Sequence, residues 1–161
     1  MDPAAKKHAL RLVPYGLYLM GTRREDGSRS VSLVSWFTQT SFEPPLVVLG
    51  VHREGNAFEA LKETGVFALS VLGSGQQDVL KAFFKHIDVE DGMVAGHRVE
   101  DGEATGCPIL PALPASLECK VREVLELGEH ATVVAEVVGA RVHHAGMAAL
   151  THGEADLHYA G

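Results

Sequence analysis

Cysteine is scarce in this chain: Cys107 and Cys119 are the only two among 161 residues. That excludes a disulfide framework and a cysteine-rich metal cluster, and a reducing cytoplasm with free thiols is expected. Basic residues are also sparse. Lys and Arg number 14 against 21 acidic residues, for a net charge of -7, and they occur singly or in pairs such as Lys6-Lys7 and Arg23-Arg24. Nucleic-acid binding therefore has no electrostatic footprint. No apolar run approaches the length of a membrane span, and the opening MDPAAKKHALRLVPYG lacks the apolar segment of a signal peptide. Neither a membrane nor a nucleic acid is an expected partner. The chain also contains no Walker A loop, no GxGxxG after a strand, no GxSxG elbow and no HExxH pair.

With 46% hydrophobic and 22% charged residues, what remains is an ordinary globular composition, expected to form one domain over residues 1–161. Tyr15–Arg24 and Ser30–Ser41 read as strands around Asp26-Gly27, a hairpin signal. Pro44-Pro45 forbids helix and restarts the chain as a strand at about Leu46. Leu46–Val51 is continuously apolar, as in a strand buried on both faces. Asn56 and Glu59 have capping-box spacing for a short helix ending at Gly65. Val66–Leu72 is a further strand. Ser74 and Gln77 repeat the cap spacing before a helix with the stripe Val79, Leu80, Phe83 and Phe84. Residues 87–105 read as a mobile loop. Leu117–Leu127 and Ala131–Val142 form a late hairpin about Gly128-Glu129-His130, and a short strand is expected near Leu157–Tyr159. Strands dominate without alternating regularly with helices, so the expected fold is mainly β: a six- or seven-stranded antiparallel barrel with short peripheral helices.

Three constellations carry candidate chemistry. The strand before Pro44-Pro45 is unusually polar. Alternation puts Ser32, Trp36, Thr38 and Thr40 on one face and Ser35, Phe37, Gln39 and Ser41 on the other. It reads equally well as a solvent-facing edge. His52-Arg53 precedes the Asn56 helix, and a guanidinium beside free helix-terminal amides suits a phosphate; a surface ion pair with Glu54 is the plainer alternative. His130 at a hairpin tip can meet an anionic cofactor or move a proton near neutrality. Cys107 has no assignable general base and is expected to be structural.

The ordered motifs Tyr15-Gly16-Leu17-Tyr18, Trp36-Phe37-Thr38-Gln39-Thr40-Ser41-Phe42-Glu43-Pro44-Pro45-Leu46-Val47, Gly65–Leu72, Gly106-Cys107-Pro108-Ile109-Leu110 and Gly128-Glu129-His130 resemble the flavin reductase-like family over nearly the whole chain. The resemblance implies an FMN-binding split barrel, normally a homodimer, with FMN (or FAD) as the flavin and NAD(P)H as co-substrate. It implies hydride transfer to flavin, with reduced flavin passing to a monooxygenase or another electron acceptor. It also implies that Ser32, Leu33, Val34, Ser35, Trp36, Thr38 and Gln39 line the ring and ribityl chain. Val51, His52, Arg53, Asn56, Ala57 and Phe58 would hold the phosphate, with Ala82, Phe83 and Phe84 beside the flavin. Many relatives carry Ser or Thr where Ala57 stands. His130 matches a histidine that meets nicotinamide in some relatives, with Glu129 in place of their Asp. Two other functions suit the same residues: an electron carrier that keeps its FMN, and a non-catalytic barrel binding haem or another ligand.

Overall fold

The computed structural model describes residues 1–157 and 159. In chain order the elements are α1 (Pro3–Arg11), β1 (Tyr18–Arg23), β2 (Arg29–Val34), β3 (Phe37–Gln39), β4 (Leu46–His52), α2 (Asn56–Thr64), β5 (Val66–Val71) and α3 (Gln77–Ala82). Then follow β6 (Ile87–Asp88), β7 (Met93–Val94), β8 (His97–Arg98), β9 (Glu100–Asp101), β10 (Pro108–Ile109), β11 (Ala115–Leu125) and β12 (His130–Val142). Eight strands form one antiparallel sheet in the order β3-β4-β12-β11-β5-β1-β2-β6. Tyr18 on β1 and Phe37 on β3 lie far apart in that order, yet their rings meet at 4.9 Å. The sheet is therefore curled on itself as a barrel, and the mainly β expectation holds.

Alternation decides which residues fill it. Met20, Val47, Leu49, Val51, Phe67, Leu69, Val133 and Ala135 point into one core, closed by Phe58 and Leu61 of α2. Leu17, Leu19, Val31, Leu72, Leu80, Phe83 and Leu110 form a second core on the opposite side of the sheet. Gly21 sits where β1 passes β10, and a Cβ there would lie 1.9 Å from the Pro108 carbonyl oxygen.

Several local expectations are corrected. Asp2 caps α1 by accepting from Ala4 and Ala5 N–H at 3.0 and 3.3 Å, with Pro3 at the first helical position. This is a favoured start, and α1 was not anticipated. The strand expected over Ser30–Ser41 breaks at Ser35-Trp36, where Phe37 N–H donates to Ser35 O, so one alternation cannot run through it. β4 is fully buried only at Val47, Leu49 and Val51; its other face is half-covered. The cap of α2 is Gly55, which has no side chain to donate or accept, so Asn56 is the first helical residue and no capping box forms. Nor does Ser74 cap α3: its hydroxyl is 2.6 Å from Glu154, and Gln76 stands at the cap. His130 opens β12 in register with His52 instead of capping a hairpin tip.

Residues 87–105 are four short strands, β6 to β9, and not a bare loop. Glu118 anchors the end of this stretch. Its buried carboxylate accepts from Ala104 N–H, Thr105 N–H and the Thr105 hydroxyl at 2.8–2.9 Å. Both thiols are free and buried, and burial pushes Cys107 up to about 11 and Cys119 up to about 12. Thiolates are thus suppressed, as befits structural residues. The strand expected near Leu157–Tyr159 falls partly on His158, outside the described residues.

Candidate functional site

A cleft of about 330 Å³ opens where the break after β2, the end of β4, the start of α2 and the residues after α3 converge. Of the expected contacts, Ser32, Leu33, Val34, Ser35, Trp36, Val51, His52, Asn56, Ala57, Phe83, Phe84 and His130 all line it. Five do not. Thr38 and Gln39 are exposed on β3, with Gln39 Nε2 donating to Ser41 O. Phe58 is drawn into the core because its helix position faces the barrel. Ala82 is exposed on the last turn of α3. Arg53 Nε donates to Glu126 at 3.0 Å and Nη1 to Gly128 O at 3.2 Å, in a neighbouring polar hollow that shares only His52 with the cleft.

Gly50, Gly55, His86, Leu157 and Tyr159 complete the lining, and sequence reasoning missed them. Gly50 makes room for the aromatic wall: a Cβ there would lie 3.1 Å from the Trp36 ring. Trp36 O accepts from Gly50 N–H at 2.8 Å, fixing the break against β4.

The Trp36 ring stands 4.6 Å from the His130 ring and 5.6 Å from that of Tyr159. The Tyr159 hydroxyl lies 3.0 Å from His130 Nε2, and His52 meets His130 edge-on at 5.0 Å. Burial first, and then the neighbouring His52, hold the His130 imidazolium below its usual range against the opposing pull of Glu129. His130 is thus a neutral ring at pH 7.

Two features say what the cleft accepts. Trp36 Nε1 is buried with no hydrogen-bond partner among the described residues, an orphaned donor of the kind a ligand oxygen or nitrogen satisfies. In the same cleft α2 begins with Gly55, and among the described residues no acceptor is assigned to the Asn56 or Ala57 amide. A nine-residue helix opening into the cleft with unpaired amides favours an anion. Aromatic planes and an anion site within one cleft fit a planar heteroaromatic group carrying a phosphate.

A model described as "Flavin reductase like domain" matches residues 10–160. The chain belongs to the flavin reductase-like family. It is 33% identical over 110 residues to the FMN reductase (NADH) RutF of Pseudomonas syringae, covering 68% of this chain and 60% of that protein. It is 30% identical over 138 residues to a flavin reductase of Pseudomonas putida, covering 85% and 78%. The solved styrene monooxygenase flavin reductase from Pseudomonas putida S12 superposes with a TM-score of 0.76 at 25% identity, over 95% of this chain and 94% of that one. The chain spans only 26% to 60% of the length of several curated relatives, RutF among them. The shared fold is the split barrel.

Proposed function

We propose that this chain binds FMN in the cleft and reduces flavin with a hydride from NAD(P)H, handing reduced flavin to a monooxygenase or another electron acceptor. The observation that carries this reading is the single cleft joining the Trp36 wall to the open start of α2. Flavin supplies a ring that takes up a hydride when nicotinamide stacks on it, so the protein's task is to set two planes and exclude water. In this reading Trp36 orients the ring, and its Nε1–H donates to it. The Asn56 and Ala57 amides hold the phosphate. His130, neutral and braced by Tyr159, lies where it can touch the nicotinamide without repelling a cationic product. A single domain over residues 1–161 and a homodimer belong to the same reading. Phe42 and Leu127, about 90% and 91% exposed, supply apolar surface for a second copy. The free thiols suit the cytoplasm, and among the described residues no helix is long and apolar enough to cross a membrane.

Trp36 is the only tryptophan, so its fluorescence reports this cleft alone. Titration with FMN is expected to quench it saturably; fluorescence unchanged by FMN would remove flavin from the cleft.

Arg53→Ala tests where the phosphate sits. A direct charge-assisted bond contributes about 1.5–3 kcal/mol, but Arg53 is engaged by Glu126. FMN affinity is therefore expected to change by less than about threefold, the scale of an exposed ion pair. A tenfold or greater loss would place the guanidinium on the phosphate.

The state of His130 sets a pH limit. Because burial disfavours its cation, the ring stays uncharged to lower pH than a free imidazole. The NADH-dependent rate is expected to be flat through the ordinary imidazole range and to fall only at more acidic pH, and His130→Ala should remove that limb and raise the NADH requirement while flavin stays bound. An acid limb at or above the ordinary imidazole range would contradict this role.

A further inference from the structure

Beside the cleft, β2 and β6 pair Ser30 with Asp88 and Val31 with Ile87. The same antiparallel register carries Ser32 to His86. Ser32 Oγ lies 3.0 Å from His86 Nδ1, and His86 Nε2 lies 3.3 Å from Asp88 Oδ1. Ser32 and His86 line the cleft, while the Asp88 side chain is 75% exposed. This is a Ser–His–Asp chain running from solvent to the cleft.

These three residue types also occur in hydrolases. There, however, the serine lies on Nε2 and a buried aspartate on Nδ1, whereas here Ser32 is on Nδ1 and the largely exposed Asp88 on Nε2. A different consequence follows from hydrogen-bond direction. The Asp88 carboxylate can only accept, so this ion-pair contact favours the imidazole proton on Nε2 and leaves Nδ1 as an acceptor. In that tautomer Ser32 O–H donates to Nδ1. A serine hydroxyl has one proton, so its oxygen offers a ligand in the cleft only lone pairs.

We propose that Ser32, fixed by His86 and Asp88 as an acceptor-only hydroxyl, is the residue by which the cleft favours dihydroflavin over oxidised flavin. This rests on the flavin reading above. Reduction by NADH plus one solvent proton gives NAD⁺ and dihydroflavin: the hydride places two electrons and one hydrogen on a ring nitrogen, and the proton binds a second. Two ring nitrogens that were acceptors thereby become N–H donors. An acceptor fixed beside the ring is matched to the reduced form and mismatched to the oxidised one. The chain thus biases the bound couple towards reduction and slows release of the product until an acceptor draws it off.

The test is to measure dissociation constants of FMN and of dithionite-reduced FMN, anaerobically, for the wild type and three variants. Ser32→Ala is expected to lower the ratio of reduced to oxidised affinity about tenfold, equivalent to about 30 mV in the two-electron potential of the bound flavin. Ser32→Thr keeps the hydroxyl and should restore the ratio. Asp88→Lys alters only an exposed side chain, so folding is not at issue. Its ammonium can only donate, so it favours Nε2 as an acceptor, moves the ring proton to Nδ1 and turns the Ser32 proton towards the cleft; the ratio should fall at least as far as in Ser32→Ala. If Asp88→Lys and Ser32→Ala change both affinities equally, the inference is overturned and the residues are only structural. If the wild type binds neither form of FMN, the flavin reading itself fails.

Discussion

Asn56→Asp should stabilise the protein and cripple FMN binding at once. Residue 56 opens α2, where the amides of Asn56 and Ala57 find no acceptor among the described residues. A carboxylate in the first turn of a helix is favourable by about 0.3–1 kcal/mol through the helix dipole, so thermal unfolding should shift slightly upward. The same charge would confront the phosphate that the amides hold. Two unit charges about 4 Å apart repel by roughly 4 kcal/mol at an effective dielectric near 20, and partial solvation reduces that, so a loss of FMN affinity of about 100-fold is expected. Riboflavin, which lacks the phosphate, should bind wild type and variant alike. Differential scanning calorimetry and tryptophan quenching check the two signs separately. An equal loss for riboflavin and FMN would mean that the substitution damages the ring site and that the phosphate lies elsewhere.

Glu118→Ala has the largest expected effect on stability, about 3–5 kcal/mol. The carboxylate satisfies three donors at once, the amides of Ala104 and Thr105 and the Thr105 hydroxyl. Each buried donor left unsatisfied costs about 1–3 kcal/mol, and the losses do not add fully. Arg23 strengthens the arrangement by donating from Nε to Thr105 O at 2.7 Å. Gly102 and Gly139 are fitted to the carboxylate, since a Cβ at either would lie within 3.0 Å of a Glu118 carboxylate oxygen. Urea unfolding should show the midpoint falling with the slope unchanged. A change below about 1 kcal/mol would mean that water enters and replaces the lost acceptor.

The barrel was legible because its signals are local and repetitive. Asp26-Gly27 set the first hairpin, Pro44-Pro45 restarted the chain at Leu46, and Gly65 ended α2 with a positive φ of 66°. Most of the cleft was legible for another reason: the motif around Trp36-Phe37 fixes which chain segment reaches it. What escaped depends on register and long-range approach. His86 reaches Ser32 only through the β2–β6 pairing, and Tyr159 reaches His130 across 29 positions. Arg53 was misplaced because nothing local reveals Glu126, whose competing carboxylate arrives from the end of β11. The cap of α2 was misread because Asn56 and Glu59 carry the right side chains one position too late, after a glycine that leaves the helix end open. That open end is the feature the proposed phosphate site uses. By contrast, Asp2-Pro3 is a purely local helix-start signal, a capping carboxylate followed by proline at the first helical position.

The most direct test of a flavin reductase is the visible spectrum of the purified protein loaded with FMN, recorded anaerobically before and after NADH is added. The flavin bands are expected to bleach on NADH addition and to return when air is admitted. Bands that persist under excess NADH would contradict hydride transfer from the nicotinamide and leave a bound flavin reduced only by a protein partner.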